Sequence, residues 1–523
     1  MRKKLVGIFV CMLMITTCAI PVYGTIRDFN IKKSSDTPDS FNKDYVRTPL
    51  HKRGYVPVSS HKDPVQTPLY SRSLQDIISG KPLPSLEGSR PLLVILTSFI
   101  DENHNASHNV DYFDKMLFGP RPSLSDYYSE VSYGKFTYSR AGVLDWHKIY
   151  VTKEWADDVN NTWKFAAMTI NAADKGFNFA SYDINNDGVV TDEELSIFIV
   201  HSGFSDWAWH MWTVNIRTND GVLVEGEYSI GDEWCPLGIF AHELGHGFLL
   251  PDLYDLDFDS NGTGQYCLMS SGGEGYIHMS AWCKIQLGWI IPTVITTNGT
   301  YTLHDAETHS EALIVCDLKH SGYEYFLIEN RYKGTSYDSI SGEWYDPVYQ
   351  FWCIGDLPDE GILIYHIDDR KAIPCWSFVT GAINNDEEHK AVDVECSDSP
   401  SSHFIDADDL DSMKNWGDDT DLWDSTTYDF DDFSSPCNAT WYDGKLSGCA
   451  IRDFSAIGPT MTMNISINSK IENHPPADLS ITGPASGTVG TPYEYSYRAK
   501  DPENQYIFYY IDWGDETSTG WIG

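Results

Sequence analysis

Residues 238–255 read GIFAHELGHGFLLPDLYD. The run from Gly238 to Leu244 is apolar apart from His242 and Glu243, and Gly247 with Leu249-Leu250-Pro251 follows the second histidine, so the stretch predicts a short buried helix that stops near Gly247. His242 and His246 stand at i and i+4 on one helix face, a spacing that lets both imidazoles reach a single Zn2+. Glu243 lies beside that metal as the base for its water. Two neutral imidazoles suit zinc, and a third protein ligand would leave the fourth position open. Asp252, ten residues after His242, is the first choice for that ligand, because a sharp turn after a short helix would bring it back under the metal. Glu274 is the alternative if the ligand comes from a later helix, and Asp255 and Asp257 stay open as well.

Around this stretch the chain reads as mixed α/β. PLLVILTSF (91–99) and SIFIVHSG (196–203) are strand-like runs. SLSDYYSEVSYGKF (123–136) predicts a helix capped at Ser123 or Ser125 and ended at Tyr133-Gly134, and TWKFAAMTINAADKG (162–176) predicts another. These elements assign residues 90–295 to one α/β domain. Within it, Asp183, Asn185, Asp187, the carbonyl of Val189, Thr191 and Glu194 occupy positions 1, 3, 5, 7, 9 and 12 of a calcium loop, with Gly188 at position 6. A lone loop of this kind reads as a structural Ca2+ clip rather than a sensor; the plainer reading is a solvated acidic turn. Met269, in QYCLMSSGG (265–273), suits either an apolar floor beneath the metal or an ordinary core position. Tyr254 and Tyr266 are candidates to donate to an oxyanion, or packed aromatics.

From residue 296 to 468 the texture changes to short alternating runs such as EYFLIENR, GILIYHID and TMTMNISI, a β-sandwich pattern. Residues 469–477 form a linker. Residues 478–523 begin a further all-β module, and some 45 residues fall short of the strand set of a typical sandwich domain of about 100, so it reads as incomplete. At the other end, residues 1–24 pair a basic start, MRKK, with an apolar run and a small residue at Gly24, as a cleaved secretory leader does. Residues 25–89, polar with Pro and Ser, read as a propeptide or N-terminal extension.

Composition narrows the function classes. The chain has 523 residues, with 36 Lys plus Arg against 76 Asp plus Glu and a formal net charge of -40. Such a surface repels nucleic acid and anionic lipid and attracts divalent cations. No stable membrane insertion is expected once the leader is removed, which makes the protein secreted and extracellular. Of the 11 cysteines, Cys11 and Cys18 fall in the leader; the rest permit disulfides whose pairing sequence does not give.

The ordered runs SDYYSEVSYGKF (125–136), NFASYDINNDGVVTDEELSIFIVHSG (178–203), GIFAHELGHGFLLPDLYD (238–255), CLMSSG (267–272), SAWCKIQLGW (280–289), YFLIENR (325–331), GILIYHIDD (361–369) and GDDTDLWD (417–424) resemble the immune inhibitor A family of secreted zinc metallopeptidases. The resemblance covers about residues 88–468. It implies a multidomain protein, a metzincin-like α/β (α+β) zinc peptidase domain followed by β-sandwich domains, acting on protein or peptide substrates. It implies His242 and His246 as zinc ligands, Glu243 as base, the 183–194 loop as structural calcium and Met269 in a Met-turn, and it supports Asp252. The family pattern commonly has Gly three residues after the second histidine, easing the turn toward the next ligand; here Leu249 stands there. The terminal YYIDWGDETSTGWIG resembles a PKD-like or Ig-like module, which would contact cell surface or extracellular matrix. The competing reading of the acidic surface and all-β rear half is a calcium-stabilised adhesion or carbohydrate-binding protein with a degenerate peptidase core.

Overall fold

The computed structural model describes residues 72–80, residues 85–467 apart from short internal stretches of which 373–382 and 399–408 are the longest, and parts of 477–522. The leader-like segment 1–24 and residues 25–71 lie outside the described residues. The chain divides into two units, the larger spanning Pro49–Lys470.

The front half of the larger unit is an α/β layer. Its sheet contains β1 (Gly88–Ser98), β2 (Phe136–Lys148), β3 (Val189–Val190), β4 (Ser196–His201), β5 (Trp209–Arg217) and β6 (Leu223–Asp232) in the order β2-β1-β4-β6-β3, with β5 also pairing β6. All pairs are parallel except β5 with β6. Central parallel strands are covered on both faces, and Leu92 to Leu96 of β1 are accordingly all buried. The helices are α1 (Leu74–Ile78), α2 (Val110–Phe118), α3 (Leu124–Val131), α4 (Lys153–Asp157), α5 (Thr162–Ala173), α6 (Leu237–His246) and α7 (Ala281–Gln286). Ser123 caps α3 by accepting from the Asp126 amide, and Tyr133 and Gly134, both at positive φ, turn the chain into β2.

Behind α7 follow β7 (Thr293–Val294), β8 (Gly299–His304), β9 (Leu313–Val315), β10 (Glu324–Arg331), the hairpin β11 (Gly342–Asp346) and β12 (Phe351–Gly355), then β13 (Gly361–Asp368), β14 (Val392–Val394), β15 (Phe430–Asp431), β16 (Ala450–Arg452) and β17 (Thr460–Ser466). A five-stranded sheet, β14-β13-β10-β9-β7, and a four-stranded antiparallel sheet, β15-β16-β17-β8, share a core that includes Phe326, Ile364, Ile451 and Met463. The alternation read from the sequence does not extend to β10 and β13, whose eight residues each are buried throughout. The reason is a third layer. Tyr325, Leu327, Leu363 and Tyr365 on their other face join the same apolar cluster as Phe240, Met269 and Trp282 of the front half.

The end of the 25–89 extension is docked on this junction. The Leu74 amide donates to buried Asp369 at 2.6 Å, the Arg72 amide to Gln286 at 2.7 Å and the Leu86 amide to the Leu287 carbonyl at 2.9 Å. In the other unit, β18 (Ala477–Thr482) pairs with β19 (Ser496–Lys500) and β20 (Tyr509–Asp512) with β21 (Ser518–Ile522), all antiparallel. No helix among the described residues is long and apolar enough to cross a membrane.

The ends of β4 and β6 carry two buried titratable groups, joined through Ser205. Burial pushes the His201 imidazole down from 6.5 to about 3. Its stabilising contribution is therefore fully present above pH 6.5 and is lost as pH falls through that window toward 3. Asp232, raised by burial to about 7, acts with the opposite sign, its contribution declining as pH rises from 3.8 toward 7. Replacing His201 with Gln should remove one slope and leave the other. Urea denaturation of both proteins between about pH 4 and 6 should show the stability difference, parent minus variant, growing with pH by up to about 1.4 kcal/mol per unit; a constant difference would contradict a neutral buried His201.

Candidate metal centre

Helix α6 is set in place before any side chain on it acts. All ten of its residues are buried, so the helix is held all round rather than lying on a surface. Phe240 stacks on Phe198 of β4 with ring centroids 4.2 Å apart, and the Tyr128 hydroxyl of α3 donates to the Ala241 carbonyl at 2.7 Å. Gly245 admits the Met269 thioether: a Cβ on that glycine would meet the sulfur at 2.7 Å. Met269 therefore lies against the helix between the two histidines, fully buried.

After His246 the chain reverses at Leu249, whose φ is +67°. The turn that a glycine would ease is thus made by leucine in the left-handed region, a conformation costing a side chain roughly 1–2 kcal/mol. Its consequence is that the Leu250 carbonyl returns to His246 Nδ1 at 2.8 Å, while the Leu268 carbonyl accepts from His242 Nδ1 at 2.9 Å. With both Nδ1–H groups donated to carbonyls, the two Nε2 atoms are left for the pocket. They converge on one oxygen of Asp252, at 3.1 and 3.2 Å. One atom from each of the three lies within 4.8 Å of the others. Two imidazoles and a carboxylate with a shared focus fit a divalent ion such as zinc. Asp252 keeps 22% of its side-chain exposure, so the focus opens toward solvent on that side.

The electrostatics follow from this proximity. Burial alone would raise Asp252, but His246 and His242 outweigh it and hold its carboxyl well below the usual carboxylate range. Burial would lower His246; the Asp252 carboxylate overrides it and brings the imidazole up to about 9 when no cation is present. Glu243, almost fully buried one residue along from His242, has its carboxyl raised chiefly by burial, with the two histidines opposing.

The other sequence candidates fall into place around this focus. Asp255 and Asp257 gather with Asp259 in a separate carboxylate group, and Asp255 accepts the amides of Asp257, Asp259 and Ser260 at 2.8 to 3.0 Å. Glu274 ends a short 3-10 turn, Ser271–Glu274, and its side chain lies outside the described residues. The Tyr254 phenol hydrogen-bonds Asp252, and its ring lies 6.2 Å from that of His242. Tyr266 is committed elsewhere, donating to Asp421 at 2.6 Å. In the 183–194 loop, Asp183 accepts the Asp187 and Gly188 amides at 3.1 and 3.0 Å, and Glu194 reaches back to the Ile184 amide at 2.9 Å and the Thr191 amide at 3.1 Å. Asn185 and Asp187 accept within the loop from the amides of Asp187 and Val189. Gly188 has φ +86°, the turn that position 6 requires. Asp183, Asp187 and Glu194 do not come together as closely as the His242 group does.

Two backbone carbonyls had no sequence signal, whereas His210 reads from the sequence as a structural or substrate-side histidine rather than a ligand. The Leu250 and Leu268 carbonyls that orient the imidazoles are backbone atoms, which no residue pattern announces. His210, remote in sequence, comes to 6.4 Å from the His246 ring, where it pairs with Glu227 at 2.8 Å and with Ser229, whose hydroxyl donates to the Glu243 carbonyl.

Residues 212–282 match the family described as Immune inhibitor A peptidase M6, catalytic domain. That span runs from β5 through α6 and the Met269 turn into α7. Immune inhibitor A of Bacillus thuringiensis subsp. alesti is 25% identical over 235 residues, covering 33% of this chain and 34% of that protein. A domain matching this peptidase family is therefore present, as a distant relative. The chain spans about a third of the length of the curated relative it matches.

Because Leu249 holds a left-handed conformation, Leu249→Gly should be neutral or stabilising by up to about 1 kcal/mol, relief of strain offsetting the lost side-chain packing and added chain entropy. Thermal melting checks this; a drop of several degrees would contradict the strained turn.

Proposed function

We propose that the protein is a secreted, zinc-dependent endopeptidase of metzincin-like architecture. The observation that carries this is the convergence of His242, His246 and Asp252 with Glu243 buried on the same helix. The family match over 212–282 supports it. In this reading residues 90–295 are the catalytic domain, 296–468 a β-sandwich and 478–523 a PKD-like module that contacts cell surface or matrix. Residues 1–24 are a leader and 25–89 a propeptide or extension.

His242, His246 and Asp252 would hold the zinc ion, with Met269 as the apolar floor. When bound, zinc acidifies a water and polarises the scissile carbonyl. Glu243 accepts the proton of the attacking water on its carboxylate and returns it to the leaving amide nitrogen. Burial, which raises the Glu243 carboxyl, favours its protonated form and so its second role as donor to the leaving nitrogen. Tyr254, whose phenol reaches Asp252 beside the His242 ring, would hold that carboxylate toward the metal focus. His210 and Ser229 steady the backbone of the catalytic helix from behind.

Glu243→Gln keeps the shape of the site and removes the base. Turnover of casein or a quenched peptide should fall by about 10²–10⁴-fold with one zinc per chain retained; activity equal to the parent would contradict the role. Asp183, Asn185, Asp187, Val189, Thr191 and Glu194 are assigned to a structural Ca2+. Calcium at about 100 times its Kd should then stabilise the protein by about 2.7 kcal/mol. Thermal melts of the zinc-loaded protein with and without added calcium should differ for the parent and coincide for Glu194→Gln; a parent indifferent to calcium would make the loop a solvated turn.

A further inference from the structure

The YFLIENR run carries a buried charge cluster that the proposed reaction does not use. Arg331, at the end of β10, is fully buried, and so is Asp338 in the turn that follows. Arg331 Nη2 donates to Asp338 Oδ2 at 2.5 Å and Nε to Glu307 at 3.0 Å, while Nη1 donates to the Tyr266 carbonyl at 2.8 Å. The other Asp338 oxygen accepts the His278 amide at 2.7 Å, and the His278 carbonyl in turn accepts the Leu268 amide at 3.3 Å. The two partners therefore grip the 266–269 turn at two points, the carbonyl of Tyr266 and, through His278, the amide of Leu268.

That turn touches the metal focus twice. Its Leu268 carbonyl holds His242 Nδ1, and its Met269 carbonyl accepts the amide of Leu253, the residue after Asp252, at 2.7 Å. A network of six hydrogen bonds thus leads from the five-stranded sheet to His242 and to the residue that follows Asp252. Net stability is a weak reason for such a cluster, since buried ion pairs can often be replaced by apolar side chains without loss. What a guanidinium fork supplies, and an apolar residue does not, is fixed direction.

We propose that Arg331 and Asp338 are positioning residues for the metal centre, setting the Met269 turn so that His242 and the Asp252 segment face a common focus. This rests on the zinc reading of that centre and adds to it a dependence on the β half of the chain.

The test uses the full-length protein, Arg331→Lys, Asp338→Asn, and Lys445→Gln as a surface control, since Lys445 pairs with Asp443 where both side chains are exposed. Lysine keeps the charge and loses the fork. Zinc affinity and the visible absorption of the cobalt-substituted protein are measured on folded material, with thermal melts alongside. Orienting partners of a ligand are worth about 10–100-fold in metal affinity. Arg331→Lys should therefore bind zinc at least about 10-fold more weakly with an altered cobalt spectrum, and Lys445→Gln should match the parent. A folded Arg331→Lys with the parent's zinc affinity and spectrum overturns the proposal. If that variant does not fold, Asp338→Asn decides on the same two readouts, and failure of both to fold would assign the pair to stability alone and overturn it equally. A parent that takes up neither zinc nor cobalt is a different result, which removes the zinc reading itself.

Discussion

The arrangement of the site depends on two hydrogen bonds, from His242 Nδ1 to the Leu268 carbonyl and from His246 Nδ1 to the Leu250 carbonyl. They fix which nitrogen of each ring carries its hydrogen and which is left to face Asp252. Much of the surrounding fold serves to bring those two carbonyls to the right places. Leu250 is there because Leu249 turns left-handed immediately after the helix. Leu268 is there because its turn passes under Gly245, where only a glycine leaves room for the Met269 sulfur. A pair of histidines at helical spacing is common; a pair whose outer nitrogens are both committed, with a carboxylate between the inner ones, is a donor set that could hold a cation.

The parts of this that the sequence discloses are those governed by local periodicity and capping. The apolar β-branched run at 91–99 becomes the center of a parallel sheet, Ser123 caps its helix, and Gly134 closes it, each for reasons contained within a few residues. His242, His246 and Glu243 are equally legible, because i, i+4 spacing is a property of one helix. Illegible are relations between distant segments. Strands β10 and β13 read as alternating, yet both faces are covered, because the second half of the chain lies between its own outer sheet and the front half. His210 lies 27 positions before the start of the helix it backs, and the Arg331 contact to Tyr266 crosses 65 positions. A leucine in place of the usual glycine at 249 raises a question that only a backbone angle answers, and the answer is that the turn is kept and the strain accepted.

Among the described residues most carboxylates are at least partly exposed, but a smaller set of charges is carried inward at the junction of the two halves. Arg331 and Lys284 lie among Glu307, Glu329 and Asp338, all buried. The same junction receives the Leu74 segment through Asp369. One apolar cluster runs from the HExxH helix to the faces of β10 and β13, so the metal centre and the sheet behind it are parts of one packed body. An α/β layer with its supporting sheet in continuous contact gives fixed geometry at the cost of independence between the two.

The central claim is that two histidines and Asp252 share one ion. An anomalous-diffraction structure of zinc-loaded protein tests it most directly. The account predicts a single zinc bonded to Nε2 of His242, Nε2 of His246 and a carboxylate oxygen of Asp252, at about 2.0–2.2 Å, with Glu243 outside the coordination sphere. Zinc bound through Glu274 in place of Asp252, or anomalous density confined to the Asp255, Asp257 and Asp259 group, would contradict it.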